Sequence, residues 1–187
     1  APIQSITISQ INALSPSQIK LLGTEEDGLS KYTSLSDASY EAMMSNPENV
    51  IRITPKEFAN FDNKNISLIG ENIKYVSDNV LAGIFYKYIS TPRTTKSQSG
   101  ALTGVQVASL SSHQMQLIID RDDGNGLSHI SKESFGSLLP GHLSRLEKSN
   151  ILGIKSEQLA QLTVESAQSI PLETRMSFTK SQKSLLS

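Results

Sequence analysis

A large apolar residue recurs at every eighth position over the last third of the chain. At about 100° per residue, a step of eight rotates this position by roughly 80°, so one continuous helix would not keep it on one face. The second apolar position comes five residues later, which places it on the opposite face of a strand. The repeat therefore fits neither one long helix nor a simple strand. The recurring residues are Ile130, Leu138, Leu146, Ile154, Leu162, Ile170, Phe178 and Leu186.

The clearest eight-residue blocks carry a signal for the start of a helix. In LSPSQI (14–19) and ITPKEF (53–58), an apolar residue precedes Ser or Thr, two further residues, Gln or Glu, and a second apolar residue. This spacing is typical of a capping box within a hydrophobic staple, in which the hydroxyl and the Gln or Glu side chain satisfy free N–H groups. Pro16 and Pro55 fall at the first helical position, where no N–H is needed. The pattern predicts short helices, each beginning where the last one ends.

The block length also predicts how these helices pack. One block cannot bury its two apolar residues alone, so neighbouring blocks must cover each other, as in other repeat proteins. Burial of one Leu or Ile side chain contributes roughly 1.5–3 kcal/mol, which offsets the ordering of eight residues only when blocks stack. We predict an all-α fold, a superhelical or solenoid array of short capped helices. A β-solenoid with several blocks per coil is the alternative.

Interruptions of the repeat suggest how the chain is divided. We expect an acidic turn at 23–28 and a loop at 45–49, followed by an apolar helix through VLAGIFYKYI (80–89). The polar run STPRTTKSQSG then covers 90–100. We predict an N-terminal helical repeat part at 1–89, a polar linker or loop at 90–101 and a C-terminal array at 102–187. The chain has no signal peptide and stops part-way through a block, so we expect it to be a fragment.

Composition narrows the functional classes. The chain is 37% hydrophobic and 19% charged with a net charge of -1, which favours a globular domain and gives no electrostatic reason to expect nucleic acid or an anionic membrane. No run approaches the ~20 apolar residues of a membrane span. The absence of Cys removes disulfides, thiolate nucleophiles and zinc–thiolate sites.

One segment has the composition of a cation site. It runs from Asp120 to Glu133 and resembles the calcium loop of an EF-hand, D-x-D-G-N-G-x-I-x-x-x-E. It has one extra acidic residue before the first glycine, two extra residues before Ile130, and Ser134 where a bidentate Glu would fall, so Glu133 would serve only in a remodelled loop. A plain Asp/Asn/Gly-rich loop between two blocks is the alternative. The candidate calcium ligands are Asp120, Asp122, Asp123, Asn125 and Glu133.

Other chemical motifs are missing from the sequence. The three histidines, His113, His129 and His142, are too far apart for local zinc spacing, and no G-x-S-x-G, Walker-type or H-E-x-x-H motif occurs. The glutamines at the box positions could form a polar ladder for a ligand, but helix capping already accounts for them. We therefore predict no enzymatic activity, no catalytic residue and no cofactor apart from the possible calcium.

The blocks LTGVQVAS-LSSHQMQL (102–117) and IKSEQLAQ-LTVESAQS (154–169) resemble the L-T-x-x-Q-I arrays of very large bacterial adhesins and related surface proteins. The resemblance implies a secreted or cell-surface bacterial protein in which the array is a scaffold, a spacer or a surface that binds another protein or a glycan. We expect such a non-enzymatic helical repeat module. The alternatives are a calcium-binding module that uses the 120–133 loop, and a non-catalytic fragment of a secreted effector or toxin.

Overall fold

The computed structural model of the chain describes residues 3–23, 31–83 and 98–186, and every regular element in these ranges is helical. The prediction of an all-α fold is therefore confirmed, and the β-solenoid alternative is wrong because the described ranges contain no strand. The helices before the gap at 84–97 are α1 (Ile8–Ala13), α2 (Pro16–Gly23), α3 (Asp37–Met44), α4 (Pro47–Val50), α5 (Pro55–Ala59), α6 (Asn63–Leu68) and α7 (Asp78–Ala82).

The helices after that gap are equally short. They are α8 (Gly104–Ser109), α9 (Ser112–Ile119), α10 (Arg121–Gly124), α11 (Lys132–Phe135), α12 (Pro140–Leu143), α13 (Ser156–Leu159), α14 (Val164–Ser169), α15 (Leu172–Met176) and α16 (Lys180–Lys183). Short 3-10 helices also occur in the described ranges, at Ile3–Ser5, Lys31–Ser34, Gly70–Tyr75, Gln98–Ala101, Gly126–His129 and Lys148–Ile151.

Several helices begin at predicted capping boxes. Before α8, the Thr103 hydroxyl accepts from the Gln106 N–H at 3.3 Å, and the Gln106 Oε1 accepts from the Thr103 N–H at 3.0 Å. The same reciprocal pair joins Ser15 to Gln18 before α2, at 3.3 and 2.8 Å. Thr54 and Glu57 form it before α5. The prediction that these blocks restart a helix is confirmed at all three sites.

The segment predicted as a loop at 45–49 is partly helical, so that prediction is wrong for its second half. Asn46 caps α4 by accepting from the Glu48 N–H at 3.0 Å, and Pro47 occupies the first helical position. An Asn-Pro pair suits the start of a helix as well as it suits a turn, because Pro needs no N–H there. Residues 24–28 of the predicted acidic turn, 84–89 of the predicted apolar helix and 90–97 of the predicted linker lie outside the described residues.

The predicted apolar positions form the core. One hydrophobic cluster extends from Ile11 to Phe178 and takes in both apolar residues of most blocks, for example Leu138 and Leu143. The described residues on either side of 84–97 share it, since α8 contacts the 3-10 turn at 70–75 and α9 contacts α7. No helix in the described ranges is both long enough and apolar enough to cross a membrane.

Contacts between helices recur at a spacing of three blocks. In the array, α11 contacts α13, α12 contacts α14, and α13 contacts α16. Each of these pairs is three blocks apart in the sequence, so each block packs on the third block after it.

Candidate functional site

Four of the five predicted calcium ligands, Asp120, Asp122, Asp123 and Asn125, lie along the turn that follows α9. Asp120 ends that helix and accepts from the Gln116 Nε2 at 2.7 Å. Asp122 and Asp123 have φ values of 52° and 53°, the left-handed region that Asp enters more readily than most residues. The structure therefore places a tight turn here.

The side chains of this turn do not converge on one point. The Asp122 Oδ2 lies 2.9 Å from the His129 Nε2, and the Asn125 Oδ1 is buried without a hydrogen-bond partner among the described residues. Glu133 is exposed on α11. Within the described ranges, no group of three or more His, Asp or Glu side chains is arranged to hold a metal ion. Calcium binding at this turn stays a prediction from the sequence.

A different set of polar residues is buried, and its members share one position. Each buried polar side chain in the described ranges is the fifth residue of its block, which is the third residue of the helix that the block starts. This set is Ser39, Glu57, Gln106, Ser134, His142, Asn150, Gln158, Ser166 and Thr174.

All of these fifth residues except Glu57 hydrogen-bond to the backbone of an earlier block. The Gln158 Nε2 donates to the Ile130 carbonyl oxygen at 2.8 Å, and the Ser166 Oγ donates to the Leu138 carbonyl oxygen at 2.6 Å. Seven consecutive blocks of the array make such a bond, and we call their donors the polar ladder. The ladder consists of Ser134, His142, Asn150, Gln158, Ser166, Thr174 and Gln182.

The spacing along the ladder follows from the block length. The last four donors each bind a carbonyl 28 residues earlier. That carbonyl belongs to the first residue of the block three before. Two donors upstream, Ser134 and His142, reach back 32 residues because their span includes the twelve-residue step from Ile118 to Ile130. The pattern changes only for Asn150, whose block three before begins at Ile118: its side chain donates instead to the Gly124 carbonyl oxygen, 26 residues earlier.

A glutamine at the fifth position uses both ends of its amide. In Gln106, Oε1 accepts from the N–H of its own cap residue while Nε2 donates to the Ile66 carbonyl oxygen at 2.7 Å. Gln114 does the same with Ser111 and with the Lys74 carbonyl oxygen. One side chain therefore caps the start of a helix and also hydrogen-bonds that helix to another block. In Gln106 the two bonds are partly buried and buried, so loss of either would leave a backbone group unpaired.

Glu57 shows what happens when the fifth residue cannot donate. Its carboxylate accepts from its own cap but has no proton for a carbonyl of another block, and it is only 5% exposed. The Lys20 Nζ lies 2.7 Å from both carboxylate oxygens and also donates to the Arg52 carbonyl oxygen at 3.1 Å. The lysine neutralises the buried charge.

His142 satisfies the same two bonds with an imidazole. Its Nδ1 accepts from the Leu139 N–H at 3.1 Å, and its Nε2 lies 2.8 Å from the Leu110 carbonyl oxygen. This arrangement requires a proton on Nε2 and none on Nδ1, which is the neutral form. Burial lowers the pKa of His142 below its ordinary value, and the bond to Leu110 opposes this shift.

We predict that His142 makes folding stability depend on pH. Since its folded pKa lies below the ordinary value of about 6.5, the unfolded chain binds more protons in that range. This contribution to stability is complete above pH ~6.5 and is lost as the pH falls through the folded pKa. His142→Gln keeps both hydrogen bonds and cannot titrate, so it should flatten this part of the profile. Urea unfolding of both proteins between pH 5 and 8 measures the difference, and parallel profiles would contradict the assignment.

Sequence reasoning assigned capping to the fifth residue and missed the bond to another block. A signal for it is present: in the nine regular blocks from 102 onwards, this residue is Gln, Ser, His, Asn or Thr and never Glu. A capping box accepts Glu as readily as Gln. The exclusion of Glu therefore indicates a need for a donor beyond the cap.

Comparison with known proteins identifies no relative. No protein-family model, curated protein or solved structure matches the chain. The function must be inferred from the geometry described above.

Proposed function

We propose that this chain is a non-enzymatic helical repeat module that serves as a rigid scaffold or spacer. In this proposal its blocks stack three to a coil, as a solenoid of short helices. The resemblance of its blocks to the arrays of bacterial adhesins supports a place in a secreted or cell-surface protein. A protein or glycan partner is part of the same prediction.

The polar ladder is the observation that carries the proposal. A stack held by apolar contacts alone could slide or twist, because such contacts have no fixed direction. A hydrogen bond every eight residues, from Ser134 to Gln182, fixes the position of each block against the block three before it. Hydrogen bonds require a defined distance and angle, so they resist such displacement. Regular bonding of this kind suits a part whose task is to hold a shape.

The use of the polar side chains supports the same proposal. The buried fifth residues that recur most regularly are committed to backbone groups at both ends, as in Gln106 and Gln158. A side chain held in this way is not available to bind or activate a substrate. The buried polar side chains of the array thus form their hydrogen bonds with its own backbone.

We expect a narrow distribution of distances along the array. The chain lacks Cys, so Val105→Cys and Lys180→Cys would give two unique sites for spin labels on exposed positions of α8 and α16. Pulsed electron paramagnetic resonance should find one narrow distance, because the intervening blocks are locked together. Gln158→Glu in the same background should broaden it. A broad distribution without that substitution would overturn the spacer proposal.

A further inference from the structure

The three consecutive blocks from 138 to 161, which we call the uncapped segment, begin their helices without a hydroxyl cap. Their second residues are Leu139, Glu147 and Lys155, and none of these side chains accepts a hydrogen bond at the start of its helix. In the blocks on either side, the Ser131 and Thr163 hydroxyls accept from the N–H of the fifth residue at 3.2 and 3.1 Å. Each helix of the uncapped segment therefore depends on the side chain of its own fifth residue.

The fifth residue of the first of these blocks, His142, can change its charge. Because Leu139 has no polar side-chain atom, the His142 Nδ1 is the sole side-chain acceptor at the start of α12 within the described residues. The Nε2 of the same ring holds the block to the Leu110 carbonyl oxygen. In the next two blocks, the amides of Asn150 and Gln158 make the corresponding two bonds, and an amide does not titrate. Proton uptake thus acts on α12 and leaves the other two helix starts unchanged.

Protonation of His142 removes the cap of α12 and keeps the bond to the earlier block. An imidazolium donates from both of its nitrogens and accepts at neither. Its Nε2–H still donates to the Leu110 carbonyl oxygen, but its Nδ1–H points at the Leu139 N–H, which is also a donor. The capping bond is replaced by a contact between two donors. The first turn of α12 is then left without a side-chain cap of any kind.

The surroundings of the ring do not stabilise a positive charge. His142 is 3% exposed, and α12 packs against α9 and α14. The titratable groups of those helices are His113 and Glu165, and Arg145 follows α12; all three are exposed. Burial, which is the larger influence on the pKa of His142, disfavours the charged form. A protonated ring is therefore stabilised by movement into solvent.

We propose that the first turn of α12 is an acid-sensitive switch. At neutral pH the His142 ring caps α12 and binds the Leu110 carbonyl oxygen. When the ring takes up a proton, the turn from Leu139 to Leu143 unwinds and the charged ring reaches solvent. Leu143, which is 1% exposed in the capped form, then becomes accessible. The neighbouring helices keep their caps, so the array presents this apolar site under acidic conditions only. The switch depends on the pairing of blocks and is independent of the scaffold role.

Amide hydrogen exchange of the full chain between pH 4.5 and 7.5, corrected for the intrinsic rate at each pH, tests the switch. Nuclear magnetic resonance of the His142 ring protons gives the pH at which the ring titrates. Across that pH, protection at 141–145 should fall at least about tenfold, whereas α8 and α13 should change less than about twofold. His142→Gln keeps both bonds and cannot titrate, so it should abolish the fall. A ring that stays neutral down to pH 4.5, a ring that titrates without the local fall, or an equal fall throughout the array would each overturn the proposal.

Two threonine substitutions locate the switch at the cap. In Leu139→Thr, the new hydroxyl accepts from the His142 N–H, as the Thr163 hydroxyl does from the Ser166 N–H, and it also accepts from a protonated Nδ1. Since a hydroxyl cap favours the helical start by about fivefold, the fall in protection should shrink by about that factor. Lys155→Thr adds the same hydroxyl to α13 and should leave the fall at α12 unchanged. If Leu139→Thr had no effect, or Lys155→Thr had an equal one, the start of α12 would not be the switch.

Discussion

Replacing Gln106 with Glu is expected to destabilise the protein by about 3–5 kcal/mol, although Glu is as good a capping residue as Gln. The Gln106 side chain is 0% exposed, and its Nε2 donates to the Ile66 carbonyl oxygen. The substitution removes that donor, leaves the carbonyl unpaired and places a carboxylate against it. Urea or thermal unfolding followed by far-ultraviolet circular dichroism measures the loss.

Gln10 provides the matched control, because it occupies the same position in a box and makes only the capping bonds. Gln10→Glu should change the free energy of unfolding by no more than about 0.5 kcal/mol. The difference between the two variants isolates the bond between blocks from the bond within one. Equal effects of the two substitutions would mean that the fifth residue acts only as a cap.

The capping boxes could be predicted because all their parts lie within one block. Thr103 and Gln106 are three residues apart, and their bonds depend only on the local backbone. The partner of the Gln106 amide is 40 residues away. The sequence of one block does not specify which carbonyl oxygen accepts from this amide, since that depends on how many blocks complete a coil. The spacing of three blocks was therefore not available from the repeat length.

The turn at 120–129 illustrates a second limit of sequence reasoning. Its composition matches that of a calcium loop, yet a list of oxygen donors does not say where they point. The backbone of Asp122 and Asp123 is left-handed, and the Asp122 carboxylate is turned toward His129. Such directions depend on φ and ψ at single residues, which the order of Asp, Asn and Gly does not determine.

His142 shows how the context of the fold gives a residue its role. As one of three scattered histidines without zinc spacing, it carries no signal in the sequence. Read as the fifth residue of the block from Leu138 to Arg145, it has the two nitrogens that a box and a ladder need. The repeat thus predicts a buried, neutral imidazole once the pairing of blocks is known. The hydrogen bonds that stabilise the stack are also the bonds on which the proposed scaffold role depends.

Replacing Gly126 with Ala is expected to cost about 3 kcal/mol or more of folding stability. A Cβ at this buried position would lie 1.8 Å from the Ile118 carbonyl oxygen and 3.0 Å from that of Ile119. Both obstacles are backbone atoms at the end of α9, so neither can rotate away. Relief would require the turn to move off the helix that it covers. Chemical denaturation measures the loss, and amide hydrogen exchange should show it spreading into α9 and α11.

Gly141→Ala is the control that distinguishes a clash with backbone atoms from a clash with a side chain that can move. Its Cβ would lie 2.7 Å from the Ser112 Oγ, again closer than real contacts allow, but that hydroxyl belongs to an exposed side chain that can change rotamer. We expect a loss below about 1 kcal/mol, because Ala also favours the helix over Gly. If Gly126→Ala were no more harmful than Gly141→Ala, the close approach to Ile118 would not be what holds the turn in place. A large loss at Gly126 alone would mean that the twelve-residue step keeps its blocks stacked because one residue in it lacks a side chain.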